Sequence, residues 1–190
     1  MRKKILVLSA SPKKDGNTAF LVGCFAEGAR SHDADVDVIN TAYLKYKALG
    51  CTSCRACQTS EAYECVINDD AKKVLAKIIN ADVVAMATPL YFWSASAQLK
   101  VLLDRMFSLY KWNNNENTVR TPLTGKTLVL IASSYDPQGL DILERPFLEI
   151  ANYSGMKYES LLIPCAGISG ALKGRKEVKQ QAFKLGQRVS

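Results

Sequence analysis

Four of the six cysteines fall between residues 51 and 65: Cys51, Cys54, Cys57 and Cys65, spaced CxxCxxC, then seven residues, then the fourth. Three thiolates at three-residue intervals reach three corners of an iron–sulfur cubane from one turn of chain, and a fourth returns from nearby. The same four residues admit two other readings. Zinc takes four thiolates in a closed tetrahedron, although its ligands more often come as two separated CxxC pairs. Reduced, unligated thiols are the other. We rank a 4Fe-4S cluster first, free thiols second and zinc third. Cys24 shares an apolar helical face with Phe20, Leu21 and Phe25 and reads as a small core residue.

A second group lies near the start, where Ser9-Ala10-Ser11-Pro12-Lys13-Lys14-Asp15-Gly16-Asn17-Thr18 follows an apolar run and precedes a helical pattern. Such a turn aims hydroxyls and free helix-start N–H groups into one space, and the helix dipole favours an anion there. It reads as a phosphate cradle. GxxxxGK[ST] and GxGxxG are both absent, and the loop resembles the mononucleotide site of flavodoxin-like proteins. The bland alternative is a polar turn that caps a helix. A third group, Pro89-Leu90-Tyr91-Phe92-Trp93, offers apolar faces suited to a flat isoalloxazine ring, or else core and subunit-contact residues.

The elements that must position these groups alternate between strand and helix. Strands are expected at 4–9, 35–39, 82–88, 126–133 and 158–163. Three of them are apolar throughout, as parallel strands covered on both faces must be. Helices are expected at 17–29, from the Asn68-Asp69-Asp70 cap through Ile79, over Leu99–Tyr110 with Ser94 or Ser96 at its start, around 146–153, and over 172–185. The pattern predicts an α/β fold: a doubly wound, five-stranded parallel sheet in the order 2-1-3-4-5 with helices on both faces. Residues 1–190 are expected to form one domain, with 41–69 as a Cys-rich loop and 111–125 as a second irregular stretch. In that topology the serine-rich and aromatic loops face each other across the switch point.

Composition narrows the chemistry. With 48% hydrophobic and 23% charged residues the chain has an ordinary globular make-up, and no apolar run approaches a membrane span. The net charge of +7 is divided unevenly: residues 1–14 and 171–190 each carry +5, and the middle carries −3. No basic patch is interleaved with aromatics, so nucleic acid is not the expected partner. The one histidine, His32, sits in a polar stretch and reads as a surface residue, which excludes His-rich metal sites and HExxH proteases. Met1-Arg2-Lys3-Lys4 and Ile5–Leu8 are too short in their apolar part for a signal peptide. A cytoplasmic location with reduced thiols is the expectation.

Ser-Pro-x-x-x-Gly-Asn-Thr at 11–18, Pro-Leu-Tyr-Phe at 89–92 and Gln-Leu-Lys-x-x-x-Asp-Arg at 98–105 together resemble the NADPH-dependent FMN reductase branch of the flavodoxin-like superfamily, in particular its iron-sulfur flavoproteins. The resemblance implies phosphate binding by Ser9, Ser11, Lys13, Gly16, Asn17 and Thr18. It also implies isoalloxazine contacts by Pro89, Leu90, Tyr91, Phe92 and Trp93, with Ser134 and Tyr135 at a third flavin-facing loop. Lys100, Asp104 and Arg105 read as structural, a helix-face ion pair or a subunit contact.

The expected cofactors are FMN, NAD(P)H as co-substrate and a 4Fe-4S cluster. The expected activity passes electrons from a reduced nicotinamide or protein donor to a quinone-like acceptor. No side chain is assigned as acid or base, because flavin N5 carries the chemistry. Lys13 and Lys14 would attract the 2′-phosphate of NADPH or an acidic partner such as ferredoxin. A non-enzymatic electron carrier is the alternative, and a cysteine-rich redox or metal sensor the third reading. The resemblance further implies a homodimer or homotetramer, with Trp93 and Lys111-Trp112-Asn113 near the interface.

Overall fold

The computed structural model describes residues 2–113 and 116–190; Met1 of the charged start, and Asn114 and Asn115 of the stretch expected to be irregular, lie outside them. Its strands are β1 (Lys4–Ser9), β2 (Asp35–Asn40), β3 (Val83–Tyr91), β4 (Ser94–Ala95), β5 (Lys111–Asn113), β6 (Thr118–Arg120), β7 (Thr127–Ser133) and β8 (Lys157–Ile163). The helices are α1 (Asn17–Arg30), α2 (Asp70–Asn80), α3 (Ala97–Arg105), α4 (Leu140–Ser154) and α5 (Lys176–Val189). Five strands run parallel in the order β2-β1-β3-β7-β8, which is the expected 2-1-3-4-5. The sheet has a sixth member, because β3 runs three residues past its expected end and folds back antiparallel onto β4.

Strand alternation divides the core in two. Leu6, Leu8, Val84, Met86, Leu128 and Leu130 face α2, α3 and α4, while Ile5, Val7, Val83, Ala85, Val129 and Ile131 face α1 and α5. Each such aliphatic side chain contributes about 1.5–3 kcal/mol on burial. The absence of polar alternation in these strands is thereby explained: both faces are inside. Helices α1 and α5 cross with almost no separation. A Cβ on Gly28 would lie 2.0 Å from the Phe183 carbonyl oxygen, and one on Gly186 would lie 2.1 Å from that of Phe25.

Several element ends differ from expectation for local reasons. α4 begins at Leu140, so Pro146 lies inside it instead of in its first turn; burial of Leu140 and Leu143 anchors the turn that precedes the proline. α3 stops at Arg105 and tightens into a 3-10 turn over Met106–Leu109. The last helix is preceded by a separate 3-10 turn, Ala171–Gly174. Ser96 occupies the cap position of α3, but its hydroxyl donates to the Ala10 carbonyl at 2.7 Å, while its amide donates to Thr88 Oγ1 at 3.0 Å. These buried hydroxyls lock the end of β3 to the chain leaving β1. Within 111–125, expected to be irregular, β5 and β6 pair antiparallel, Lys111 with Arg120, Trp112 with Val119 and Asn113 with Thr118.

Candidate functional site

At the carboxyl ends of the parallel strands, the end of β3 and the segments at the ends of β1, β7 and β8 surround a cleft of about 340 Å³. Its β1–α1 wall comprises Ser11, Lys13, Gly16, Asn17 and Thr18. Gly16 stands at the N-cap of α1 with no side-chain cap, and the first turn has no acidic residue. The first-turn N–H groups of a helix have no intrahelical partner, so this uncapped end faces the cleft with its donors and its positive dipole. The turn is tight: Ser11 Oγ accepts from the Lys13 amide at 3.2 Å, and a Cβ on Gly16 would come within 3.2 Å of Lys13 Cβ. Ser9 is not on this wall. It is buried as the last residue of β1, paired with Asn40 and Ala87.

Asn17 lines the cleft, yet its amide is engaged in the fold. Nδ2 donates to the carbonyls of Ala166, Gly167 and Ile168 at 3.1, 3.4 and 3.0 Å, and Oδ1 accepts from the Leu172 amide at 3.1 Å. It therefore holds the loop after β8 against the start of α1. That loop supplies Ala166, Gly167, Ile168 and Ser169 to the cleft, a fourth wall that the sequence reading missed. Its signal was present: Cys165-Ala-Gly-Ile-Ser-Gly follows the last strand at the same carboxyl end.

Pro89, Leu90 and Tyr91 form the opposite wall with Ser133, Ser134 and Tyr135. Phe92 and Trp93 do not line the main cleft; they border an adjoining depression of about 390 Å³ that shares Leu90, Ser134 and Tyr135. They are the two turn residues between β3 and β4, both left-handed at φ 48° and 59°, with rings edge to face at 5.6 Å. Phe92 is 93% exposed. A larger depression of about 1200 Å³, lined by Arg2, Lys3, Lys4, Lys126 and Lys157 among others, lies at the opposite, amino ends of the strands. Ligands of doubly wound sheets bind at the carboxyl ends, so the smaller cleft is the candidate site.

The four clustered cysteines line one further cavity, about 20 Å³, with Thr52, Arg55, Val66, Ile67, Arg105, Phe107 and Ser108. Cys51 and Cys54 are exposed, Cys57 and Cys65 half-buried. Among the described residues no three His, Cys, Asp or Glu side chains are arranged to hold a metal ion. The Ala56 amide, and next the Thr52 hydroxyl, hydrogen-bond to Cys54 and hold its thiol below the ordinary value.

Lys100 and Asp104 form the expected helix-face ion pair at 2.5 Å. Arg105 does not join it. Its guanidinium is buried and donates to Asp69 Oδ2 at 2.6 Å and to the Ile67 carbonyl at 3.0 Å. Its Nε has no partner among the described residues. Burial opposes the charge on Asp69, but Arg105 and the amides of Lys47 and Lys72 outweigh it and hold the carboxyl below its usual range. Lys111 and Trp112, expected near a subunit contact, turn inward. Lys111 donates to the Cys57 carbonyl, and Trp112 stacks on Phe107 with centroids 4.6 Å apart. Cys24 is buried, as expected, and burial pushes its thiol up; His32 is exposed, also as expected.

A doubly wound parallel sheet in the order β2-β1-β3-β7-β8, with an uncapped helix start and an apolar wall at its switch point, is the flavodoxin-like fold. Residues 3–159 match the family model for NADPH-dependent FMN reductase, and the chain belongs to that family. An iron-sulfur flavoprotein of Methanocaldococcus jannaschii is 33% identical over 103 residues, which is 54% of this chain and 51% of the relative. The chain spans about half the length of the curated relatives it matches.

Solved structures similar in fold include two reductases. The NAD(P)H:quinone oxidoreductase from Methanothermobacter marburgensis superposes with a TM-score of 0.72 at 16% identity, covering 100% of this chain and 98% of that one. An FMN-dependent NADH-azoreductase from Bacillus anthracis in complex with FMN gives 0.71 at 13% identity, covering 98% and 99%. No helix among the described residues is long and apolar enough to cross a membrane.

Proposed function

We propose that the chain is an FMN-dependent oxidoreductase that takes electrons from a reduced nicotinamide and delivers them to a quinone-like acceptor. The observation that carries this reading is the uncapped start of α1 opening into a cleft walled by the end of β3 and by the segments that follow β1, β7 and β8. The first-turn amides and the hydroxyls of Ser11 and Thr18 would hold the FMN phosphate, and Lys13 would add a positive charge. Pro89, Leu90 and Tyr91 would lie against the ring system, with Ser134 and Tyr135 beside them. Bound there, the flavin supplies the hydride chemistry, so the chain needs no acid or base of its own. Phe92 and Trp93 border the next depression, where a planar acceptor or a nicotinamide would dock beside the ring. Ser9 keeps a structural role in this proposal, and Asn17 acts by fixing the Ala166–Ser169 wall.

The test is FMN titration followed by turnover. Purified protein should bind FMN tightly, and the loaded protein should oxidise NADPH when a quinone is supplied. A protein that takes up no FMN sinks the reading. FMN uptake without oxidation of either nicotinamide, together with fast reduction by ferredoxin, would instead favour an electron carrier.

For Cys51, Cys54, Cys57 and Cys65 the proposal is a 4Fe-4S centre. All four line a single cavity, cations are buried beside them, and a relative is named an iron-sulfur flavoprotein. A cavity of about 20 Å³ admits a water-sized group, so a four-iron core requires the exposed Cys51–Cys54 arm to stand further out. That arm carries left-handed Ser53 and Arg55. Iron and acid-labile sulfide assayed after anaerobic purification decide the matter: four of each per chain are expected, and none in either assay would leave the thiols free.

A further inference from the structure

The depression beside the cleft differs from it in electrical sign. Among the described residues that line the cleft the charged side chain is Lys13, and among those that line the depression it is Asp136. Asp136 is exposed, and its carboxylate forms no ion pair among the described residues. The positive end of the α4 dipole follows closely in the chain, but Asp141 in the first turn of that helix offsets it. Much of the remaining surface is aromatic: Phe92, Trp93 and Tyr135 are 93%, 55% and 68% exposed. Exposed apolar area gathered in one place marks a surface for a ligand or partner. Trp93 and Leu90 close over Gly139 at the cap of α4, where an added Cβ would meet Trp93 Nε1 at 3.2 Å and Leu90 Cδ2 at 3.1 Å. The Trp93 ring is therefore seated before any ligand arrives. At about 390 Å³ the depression has the size of a small-molecule site, roughly 300–1,000 Å³.

Resting on the oxidoreductase reading above, we propose that this depression is the acceptor subsite and that Asp136 sets its selectivity. It takes planar aromatic acceptors that carry no negative charge, cationic ones best, and turns away anionic ones. The rings of Phe92, Trp93 and Tyr135 supply flat apolar contact, and a cation gains further from their faces. Asp136 adds the Coulombic discrimination. Water screens it in so open a place, so a unit charge about 5 Å away changes Kd by about threefold to tenfold. The phosphates of a nicotinamide dinucleotide meet the same repulsion, so the acceptor and not the donor is the ligand favoured here.

The experiment measures binding by calorimetry to the FMN-loaded, oxidised protein with no electron donor present. Three anthraquinones of one ring system are the probes, bearing a hydroxymethyl, a sulfonate or a trimethylammonium group. The parent should bind the ammonium probe about threefold to tenfold more tightly than the neutral one, and the sulfonate more weakly by a similar factor. The spread should shrink as salt is raised from about 0.05 to about 0.5 M. Asp136→Asn should close the gap between sulfonate and neutral probes and narrow that of the ammonium probe, while Trp93→Leu should weaken all three and keep their order. Equal affinities in the parent, no binding of any probe, an unchanged spread in D136N or unchanged affinities in W93L overturn the inference and leave the oxidoreductase reading standing. If D136N does not fold, the parent's salt series decides, and a spread indifferent to salt overturns the inference. A parent that takes up no FMN removes the oxidoreductase reading and the inference together.

Discussion

Replacing Asn17 by Asp changes one atom type at the point where the phosphate wall and the loop after β8 meet. The two hydrogens of Nδ2 serve three carbonyls at 3.0–3.4 Å, so two hydrogen bonds disappear together. At about 1 kcal/mol each they amount to ~2 kcal/mol. The new carboxylate also faces those carbonyls, while its position in the first turn of α1 returns about 0.3–1 kcal/mol through the helix dipole. The expected net cost to the unliganded fold is about 1.5–2.5 kcal/mol, read as a lower urea midpoint.

FMN binding should suffer separately. A carboxylate and a phosphate about 6 Å apart repel by ~2.8 kcal/mol at an effective dielectric of 20. Screening at the open side of the cleft reduces the expected loss to about tenfold to a hundredfold in Kd. Quenching of FMN fluorescence measures it. Asn17→Ala is the control, because it frees the same carbonyls without adding charge. If N17D and N17A bind FMN equally well, the phosphate does not sit at the start of α1; if both match the parent, the proposed cleft is wrong.

Asp69→Ala removes the partner of buried Arg105 and should cost about 3–5 kcal/mol in urea denaturation; a loss under ~1 kcal/mol would mean that the pair is not desolvated. Because the Asp69 carboxyl is held below its usual range, its stabilisation is complete above the unfolded value near ~3.9 and is lost as pH falls through the lower folded value. Stability of the parent should accordingly drop more steeply in acid than that of Asp69→Asn, and parallel acid titrations would contradict the assignment. Gly28→Ala puts a methyl 2.0 Å from the Phe183 carbonyl oxygen and should force α1 and α5 apart at a cost of about 1–3 kcal/mol or more. An unchanged Tm would show that the helices cross elsewhere. Cys54→Ala should abolish iron binding and spare FMN, as checked by metal analysis beside the flavin spectrum; full iron retention would remove Cys54 from the ligand set.

The sheet was legible because its three central strands, β1, β3 and β7, are apolar on both sides, a pattern that few other elements share, and strand order followed from right-handed crossovers. Strand ends near the site were less so. β3 passes Thr88 because Leu90 and Tyr91 pair with Ala95 and Ser94, a contact made by backbone and invisible to side-chain periodicity. The Ser-Pro to Asn-Thr turn was found by its residue types, and all but Ser9 of the expected residues reach the cleft. Ser9 fails for a register reason, since as the last residue of β1 it stays within the ladder. The Ala166–Ser169 wall escaped notice because small residues announce flexibility and not a ligand. Arg105 is structural as expected, but its ion pair is with buried Asp69 and not on the α3 face, and the contacts of Lys111 with Cys57 and Tyr63 were likewise hidden, because nothing in local sequence reveals which groups arrive from other parts of the chain.

The tip of the β3–β4 hairpin has two left-handed residues in succession, a backbone that Asn-Gly adopts with little strain and that a phenylalanine followed by a tryptophan adopts at roughly 1–3 kcal/mol each. Folding alone would not select that pair. Phe92 stands out in solvent at 93% exposure, while the Trp93 ring lies against Gly139 at the start of α4, where an added Cβ would come within 2.7 Å of its Cδ1, so the tip presents aromatic area already held in place. An Asn-Gly exchange at these two positions should therefore yield a sturdier hairpin while stripping both rings from the border of the adjoining depression, so this tip trades backbone ease for aromatic surface.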